Sequence, residues 1–151
     1  MFRGVNNINL DAKGRLAIPT RYRERLQERC DGQLVVTIYD DPCLLLYPLP
    51  EWEVIERKIN RLPTLNARAR RMNRLMIGHA TECQLDGNGR ILLPAPLREF
   101  ATLQKQVVMI GQGNKFEIWD ADTWAKQREL WLQQEAEDDS DLPGELESIS
   151  I

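Results

Sequence analysis

The stretch "LDAKGRLAIP" at residues 10–19 returns as "LDGNGRILLP" at residues 85–94. Aligning residues 8–26 with 83–101 without a gap gives seven identities in nineteen positions, where average composition gives about one. The identities are Leu10/Leu85, Asp11/Asp86, Gly14/Gly89, Arg15/Arg90, Pro19/Pro94, Arg23/Arg98 and Glu24/Glu99. After a three-residue difference in length the match resumes, with "VVTIYDDPCLLLYPLPEW" (35–52) lying on "VVMIGQGNKFEIWDADTW" (107–124). The chain carries an internal duplication, and a repeat found this early governs how everything else is read.

Each copy gives the same local reading. An apolar-alternating run (about 5–10 and 80–85) meets a Gly-containing turn and a second short run, Leu16–Ile18 or Ile91–Leu93, the pattern of a β-hairpin. Pro19 and Pro94 stop the strand; Thr20 is placed to cap a helix reaching about Arg29, and Pro96 suits the first turn of the matching helix. Two further strands follow in each copy, Leu34–Tyr39 with Leu44–Tyr47, and Gln106–Ile110 with Phe116–Trp119. A helix then opens near Pro50 or Asp122. Between the copies, "NARARRMNRLMIGHA" reads as a helix with Leu65, Ala69, Met72, Leu75 and Met76 on one face and Arg68, Arg70, Arg71 and Arg74 on the other. The expected organisation is a first repeat over 1–60, a connecting basic helix over 61–79, a second repeat with its helix over 80–134, and a mobile acidic tail over 135–151.

The formal net charge of −3 hides an uneven distribution. Residues 1–80 hold 14 basic and 9 acidic side chains, residues 81–128 hold 6 of each, and residues 129–151 hold 8 acids and no base. The front of the molecule is basic, so overall acidity does not argue against a nucleic-acid partner. No run approaches the roughly 18 apolar residues of a membrane span, and the N-terminus lacks the form of a signal peptide, so a cytoplasmic protein is expected. Cys30, Cys43 and Cys83 are odd in number with no CxxC spacing, which fits reduced thiols better than a disulfide or zinc framework.

Enzymatic chemistry finds no foothold. His79 is the single histidine, serine occurs only at 140, 148 and 150, and no phosphate loop, dinucleotide fingerprint or set of metal ligands is present. No enzyme, cofactor, metal or small-molecule substrate is therefore expected. The repeated loop is the remaining candidate. Asp11 and Asp86 can accept backbone N–H groups of the turn, and Gly14 and Gly89 can supply positive φ, so these four shape the loops. Arg15 and Arg90 have two readings: an internal pair with the loop Asp or with Glu24 or Glu99, or a guanidinium held beside a hairpin tip for a phosphate or for the O6 and N7 edge of guanine. Lys13 adds a second cation in the first copy, where the second has Asn88; Arg3, Arg21, Arg23 and Arg25 add basic density nearby.

The duplicated D-x-x-x-G-R-type loop, with "MFRGVNNINLDAKGRLAIPTRYR" at the start and "GHATECQLDGNGRILLPAPLR" in the second half, resembles the MraZ family of bacterial transcriptional regulators, built from two AbrB-like (SpoVT-AbrB) units. The resemblance covers nearly the whole chain and is weakest in the acidic tail. It implies a mainly β fold with short helices (α+β), a tandem AbrB-like swapped-hairpin β-barrel with a pseudo-twofold internal duplication. It also implies a ring-shaped homo-oligomer associated with the nucleoid. The implied role is to bind direct repeats in double-stranded promoter DNA upstream of its own operon, repressing it and the division and cell-wall gene cluster. Lys13 and Arg15 are the expected DNA contacts, with Arg3 and Arg90 secondary. The alternative is a ring-shaped protein-interaction scaffold without DNA specificity, using the Arg68–Arg74 face or the acidic tail.

Overall fold

A computed structural model describes residues 1–140 together with Gly144, Ser148 and Ile149. Its elements in chain order are β1 (Phe2–Asn9), β2 (Arg15–Ala17), α1 (Thr20–Cys30), β3 (Gln33–Thr37), β4 (Leu44–Pro48), α2 (Leu49–Asn60), α3 (Ala67–Met72), a π-helical turn (Asn73–Ile77), β5 (Thr81–Gln84), β6 (Arg90–Leu92), α4 (Ala95–Phe100), β7 (Gln106–Gly113), β8 (Phe116–Asp120) and α5 (Ala121–Glu137). Six strands form an antiparallel sheet in the order β1-β7-β8-β4-β3-β5, and β2 pairs with β6 in a two-stranded ribbon. Read from either end, the sheet meets equivalent strands of the two copies in the same succession. A pseudo-twofold axis therefore passes between β8 and β4 and through the ribbon.

The copies exchange strands. β1 of the first copy pairs along its whole length with β7 of the second, from Phe2↔Gly113 to Asn9↔Gln106. In return β5 of the second copy pairs with β3 of the first, from Gln33↔Gln84 to Val36↔Thr81. The expected hairpin over residues 5–18 closes only at its tip, through a single bridge Leu10↔Leu16 and a 3.0 Å bond from Asp11 N–H to Arg15 O. Beyond the tip its two strands part, because the longer ladders with β7 and β6 satisfy more backbone groups. The ribbon lies against β1 on one side and β5 on the other, closing the strands into the swapped-hairpin barrel.

Burial explains the sequence pattern. Leu16 and Ile91, at the centre of the ribbon, are 0% and 1% exposed and enter one core with Leu26, Leu97, Phe116 and Ile118. β3 and β4 do not alternate, being buried nearly throughout; one face looks into the barrel, and α2 packs against both strands. Pro19 and Pro94 stand just before α1 and α4 in extended conformation. Thr20 is thus the first residue inside α1 and makes no side-chain cap bond, correcting the expected capping role. The connecting helix also starts later than its apolar pattern suggests. Asn66 caps it by accepting from Ala69 N–H at 3.1 Å, which leaves Leu65 in the preceding turn at 93% exposure. Of that expected apolar face only Met76 is fully buried.

A second unit begins at Asp122. Within it Trp124 and Trp131, two helical turns apart on α5, meet edge to face with ring centroids 5.8 Å apart. Of the acidic tail expected over 135–151, residues 135–137 continue α5 rather than opening a mobile segment, and 141–143, 145–147, 150 and 151 lie outside the described residues. No helix among the described residues is long and apolar enough to cross a membrane.

Because both copies close the same barrel, Leu16→Ala should destabilise the whole of it by about 2–5 kcal/mol. Equilibrium denaturation of single-tryptophan variants should show Trp52 of the first copy and Trp119 of the second reporting one shared transition, both being buried. Separate midpoints for the two reporters would contradict the interlock.

Candidate nucleic-acid interface

The repeated loops are built from one carboxylate each. Asp11 Oδ1 accepts from the backbone N–H of Lys13 at 2.9 Å and of Arg15 at 2.8 Å, while Oδ2 accepts from Arg15 Nε at 2.8 Å. Asp86 repeats the pattern: Oδ1 accepts from Asn88 N–H at 2.8 Å and Arg90 N–H at 2.9 Å, and Oδ2 from Arg90 Nε at 3.2 Å. Gly14 and Gly89 turn the chain at φ +84° and +73°, in the region that favours glycine. The backbone bond from Arg15 N–H is the largest influence holding the Asp11 carboxyl below its ordinary value, and the bond from Arg90 N–H does the same for Asp86.

The same bonds bear on the first of the two readings of Arg15 and Arg90, the internal pair. Each guanidinium is paired with the loop Asp through Nε; the alternative pairing with Glu24 or Glu99 is not made. Among the described residues no hydrogen bond engages the Nη groups of either arginine. Pairing and outward recognition are therefore compatible. An arginine clamped at Nε keeps an end-on pair of donors at a fixed position, and that fork matches a phosphate or a guanine edge. Lys13 is exposed and its ammonium forms no salt bridge among the described residues.

The ribbon then brings the two loops into one surface. Register places Arg15 opposite Leu92, Leu16 opposite Ile91 and Ala17 opposite Arg90. Leu16 and Ile91 face inward, so Arg15, Ala17, Arg90 and Leu92 share the outward face. Arg15 and Arg90 are diagonal neighbours, with Cα atoms about 7–8 Å apart. A two-stranded ribbon is one of the shapes that the major groove of B-DNA admits. Lys13 lies at one end of this face and Asn88 at the other.

Arg3 does not join it. It sits at the far end of β1, eight residues and roughly 25 Å of extended chain from Asp11. Its neighbours there are Arg21, which donates to Asn6 Oδ1 at 2.7 Å, and Arg25, which donates to the Met1 carbonyl at 3.2 Å. Tyr22 O–H donates to the Arg3 carbonyl, tying α1 to this end of β1. The basic density is thus divided between two places.

Arg23 and Arg98, also identical between the copies, have a structural task that sequence reasoning missed. Arg23 Nε donates to Ile18 O at 2.6 Å and Arg98 Nε to Leu93 O at 3.0 Å. Each side chain crosses to the other copy's loop: a Cβ on Gly89 would collide with Arg23, and one on Gly14 with Arg98. Ile18 N–H bonds Gly89 O, and Leu93 N–H bonds Gly14 O, both at 2.9 Å. The repetition of these arginines beside the repeated glycines was the available signal.

Among the described residues no group of three or more His, Cys, Asp or Glu is placed to hold a metal ion. His79 is exposed, its Nδ1 lying 2.9 Å from Leu75 O. Burial pushes the Cys83 thiol up to about 12, and raises Cys43 further. Both thiols are therefore protonated and poor nucleophiles at neutral pH. Cys43 lines a largely apolar cleft of about 540 Å³ beside Tyr47, Ile59, Met72 and Met76.

Comparison with known proteins points to one family. A model of the MraZ protein family, described as antitoxin-like, matches residues 1–75 and again residues 76–142. Among similar proteins is the transcriptional regulator MraZ of Halorhodospira halophila, 61% identical over 152 residues and all of both chains. The transcriptional regulator MraZ of Methylococcus capsulatus is 63% identical over 134 residues, 89% of this chain and 88% of that one. That of Thioalkalivibrio sulfidiphilus is 57% identical over the whole of both chains.

The lowered Asp11 and Asp86 values fix the sign of an acid response. Loop stability is fully present above the ordinary aspartate value and is lost as pH falls through the lowered folded-state values. A carboxyl-carbon NMR titration should place both midpoints below that of a free aspartate; midpoints at or above it would contradict the N–H cradles.

Proposed function

Because this chain belongs to the MraZ family, matched by two tandem units that span nearly its whole length, we propose that it is a sequence-specific DNA-binding transcriptional regulator without enzymatic activity. The observation that carries this reading is the outward face of the β2–β6 ribbon, where Arg15 and Arg90 are held at Nε and keep their end-on donors. Lys13 and Arg15 are the principal contacts and Arg90 an auxiliary one. Arg3, at the other end of β1, is a secondary contact, to flanking phosphates. Asp11, Gly14, Asp86 and Gly89 hold the loops in shape. In this reading the contact face is the ribbon, which takes one strand from the repeat over 1–60 and one from the repeat over 80–134.

Electrostatics separates the roles. Each Asp–Arg pair is close to neutral, so Lys13 supplies the uncompensated charge that attracts the phosphate backbone. Arg15 supplies recognition, because a fork at fixed position discriminates between base edges. One protomer offers a small contact area. A ring-shaped homo-oligomer presenting several ribbons gains affinity through effective concentration when the spacing of binding sites matches. Neighbouring subunits related by a rotation suit direct repeats, and a curved ring on straight DNA requires bending of one or the other. The target is promoter DNA upstream of the protein's own operon, which it represses together with the division and cell-wall genes, in the cytoplasm at the nucleoid.

Fluorescence anisotropy on the protein's own upstream DNA tests this. Arg15→Ala should lose about 1–3 kcal/mol of discrimination over scrambled DNA. Lys13→Ala should weaken both DNAs alike and reduce the salt slope by about 0.9. Unchanged affinity and unchanged preference in Arg15→Ala would overturn the assignment.

A further inference from the structure

The outward face of the ribbon carries one residue that solubility disfavours. Leu92 is 58% exposed, with Arg15 directly opposite and Arg90 two residues away on its own strand, a strand only three residues long. Its inward neighbours Ile91 and Leu93 are 1% and 0% exposed, so the barrel already has its apolar complement without it. Single exposed leucines elsewhere on a surface need no explanation. This one stands directly opposite Arg15, with Cβ atoms about 4.5–5.5 Å apart.

We propose that Leu92 reads the 5-methyl group of a thymine next to the guanine engaged by Arg15. This rests on the DNA-binding reading of the ribbon and adds to it the identity of a second base. The chemistry follows from the groove. In the major groove the thymine methyl is the apolar feature on a base edge, and apolar side chains contact it. A branched side chain beside a guanidinium fork reaches a neighbouring base while the fork occupies the first. Contact removes the exposed surface of Leu92 from water together with the methyl group, which makes binding favourable.

The duplication supplies an internal control. In the repeat alignment Leu92 corresponds to Ala17, which stands opposite Arg90. Arg15 from the first copy therefore has a leucine directly across from it, donated by the second, whereas the residue directly across from Arg90 is an alanine. The two cross-strand halves of the ribbon are unequal: one sets a branched apolar side chain opposite its fork, the other only a methyl group. The better half is composite, with its fork and its apolar contact on different copies.

The test uses the full-length wild type and Leu92→Ala, which places at 92 the residue already present at the equivalent position. The DNA is the upstream duplex, with thymines replaced one at a time by deoxyuridine, which removes only the methyl group. Wild type should lose about fourfold at one such position, the factor to which ~0.8 kcal/mol for one buried methyl converts. Leu92→Ala should bind the thymine duplex about fourfold more weakly and be indifferent to deoxyuridine at that position. Its salt slope should stay that of wild type, because no phosphate contact is removed. Wild-type affinity in Leu92→Ala, or a deoxyuridine penalty that survives the substitution, would overturn the proposal. Indifference of the wild type to every deoxyuridine, with its preference for upstream DNA intact, would overturn it and leave the ribbon assignment standing. Loss of that preference in the wild type itself would remove both.

Discussion

Strand β1 takes its hydrogen-bond partners from β7, about a hundred residues later in the chain, and β5 takes its own from β3 in the first copy. Neither copy can pair its own outer strand, so each is incomplete until the other arrives. A unit of about 60 residues is marginal by itself because it buries too small a fraction of its surface. The exchange resolves this by making one core from both. The ribbon depends on it most directly: Ile18 and Leu93 each donate to a glycine carbonyl of the opposite copy, and Arg23 and Arg98 close over the junctions.

The outward face of the ribbon inherits its rigidity from that arrangement. Arg15 and Arg90 are fixed at Nε by carboxylates whose other oxygen accepts two backbone N–H groups of the same loops. The loops are fixed by the ribbon, and the ribbon by the buried pair Leu16 and Ile91. Positional precision at these guanidinium groups thus traces back to packing inside the barrel. A side chain held in this way has little conformational entropy left to lose on binding.

Much of this was legible in the repeat. The paired Asp, Gly and Pro residues announced their turns, strand ends and helix starts, because those roles follow from local backbone chemistry. What stayed hidden was non-local. The run before Asp11 and the run after Arg15 look like the two arms of a hairpin, yet only Leu10 and Leu16 bridge, since the competing ladders lie in the other copy. Arg23 looked like one more surface cation, although its Nε serves Ile18 O. Leu65 matched a helical face by spacing, but Asn66 starts the helix one residue too late to include it. On the ribbon, the single letters Ala17 and Leu92 gave no hint that strand pairing sets each beside the other copy's arginine.

Fusing the two halves into one chain has a consequence for how such a surface changes over time. In a symmetric dimer of separate chains, any substitution at a tip appears twice, and an improvement on one side is tied to whatever it does on the other. Here Lys13 has Asn88 as its counterpart, and Ala17 has Leu92, across an axis that the backbone still respects. Each tip can drift while its twin preserves the scaffold. The result is a face with a direction, a head and a tail, carried on a fold that has neither.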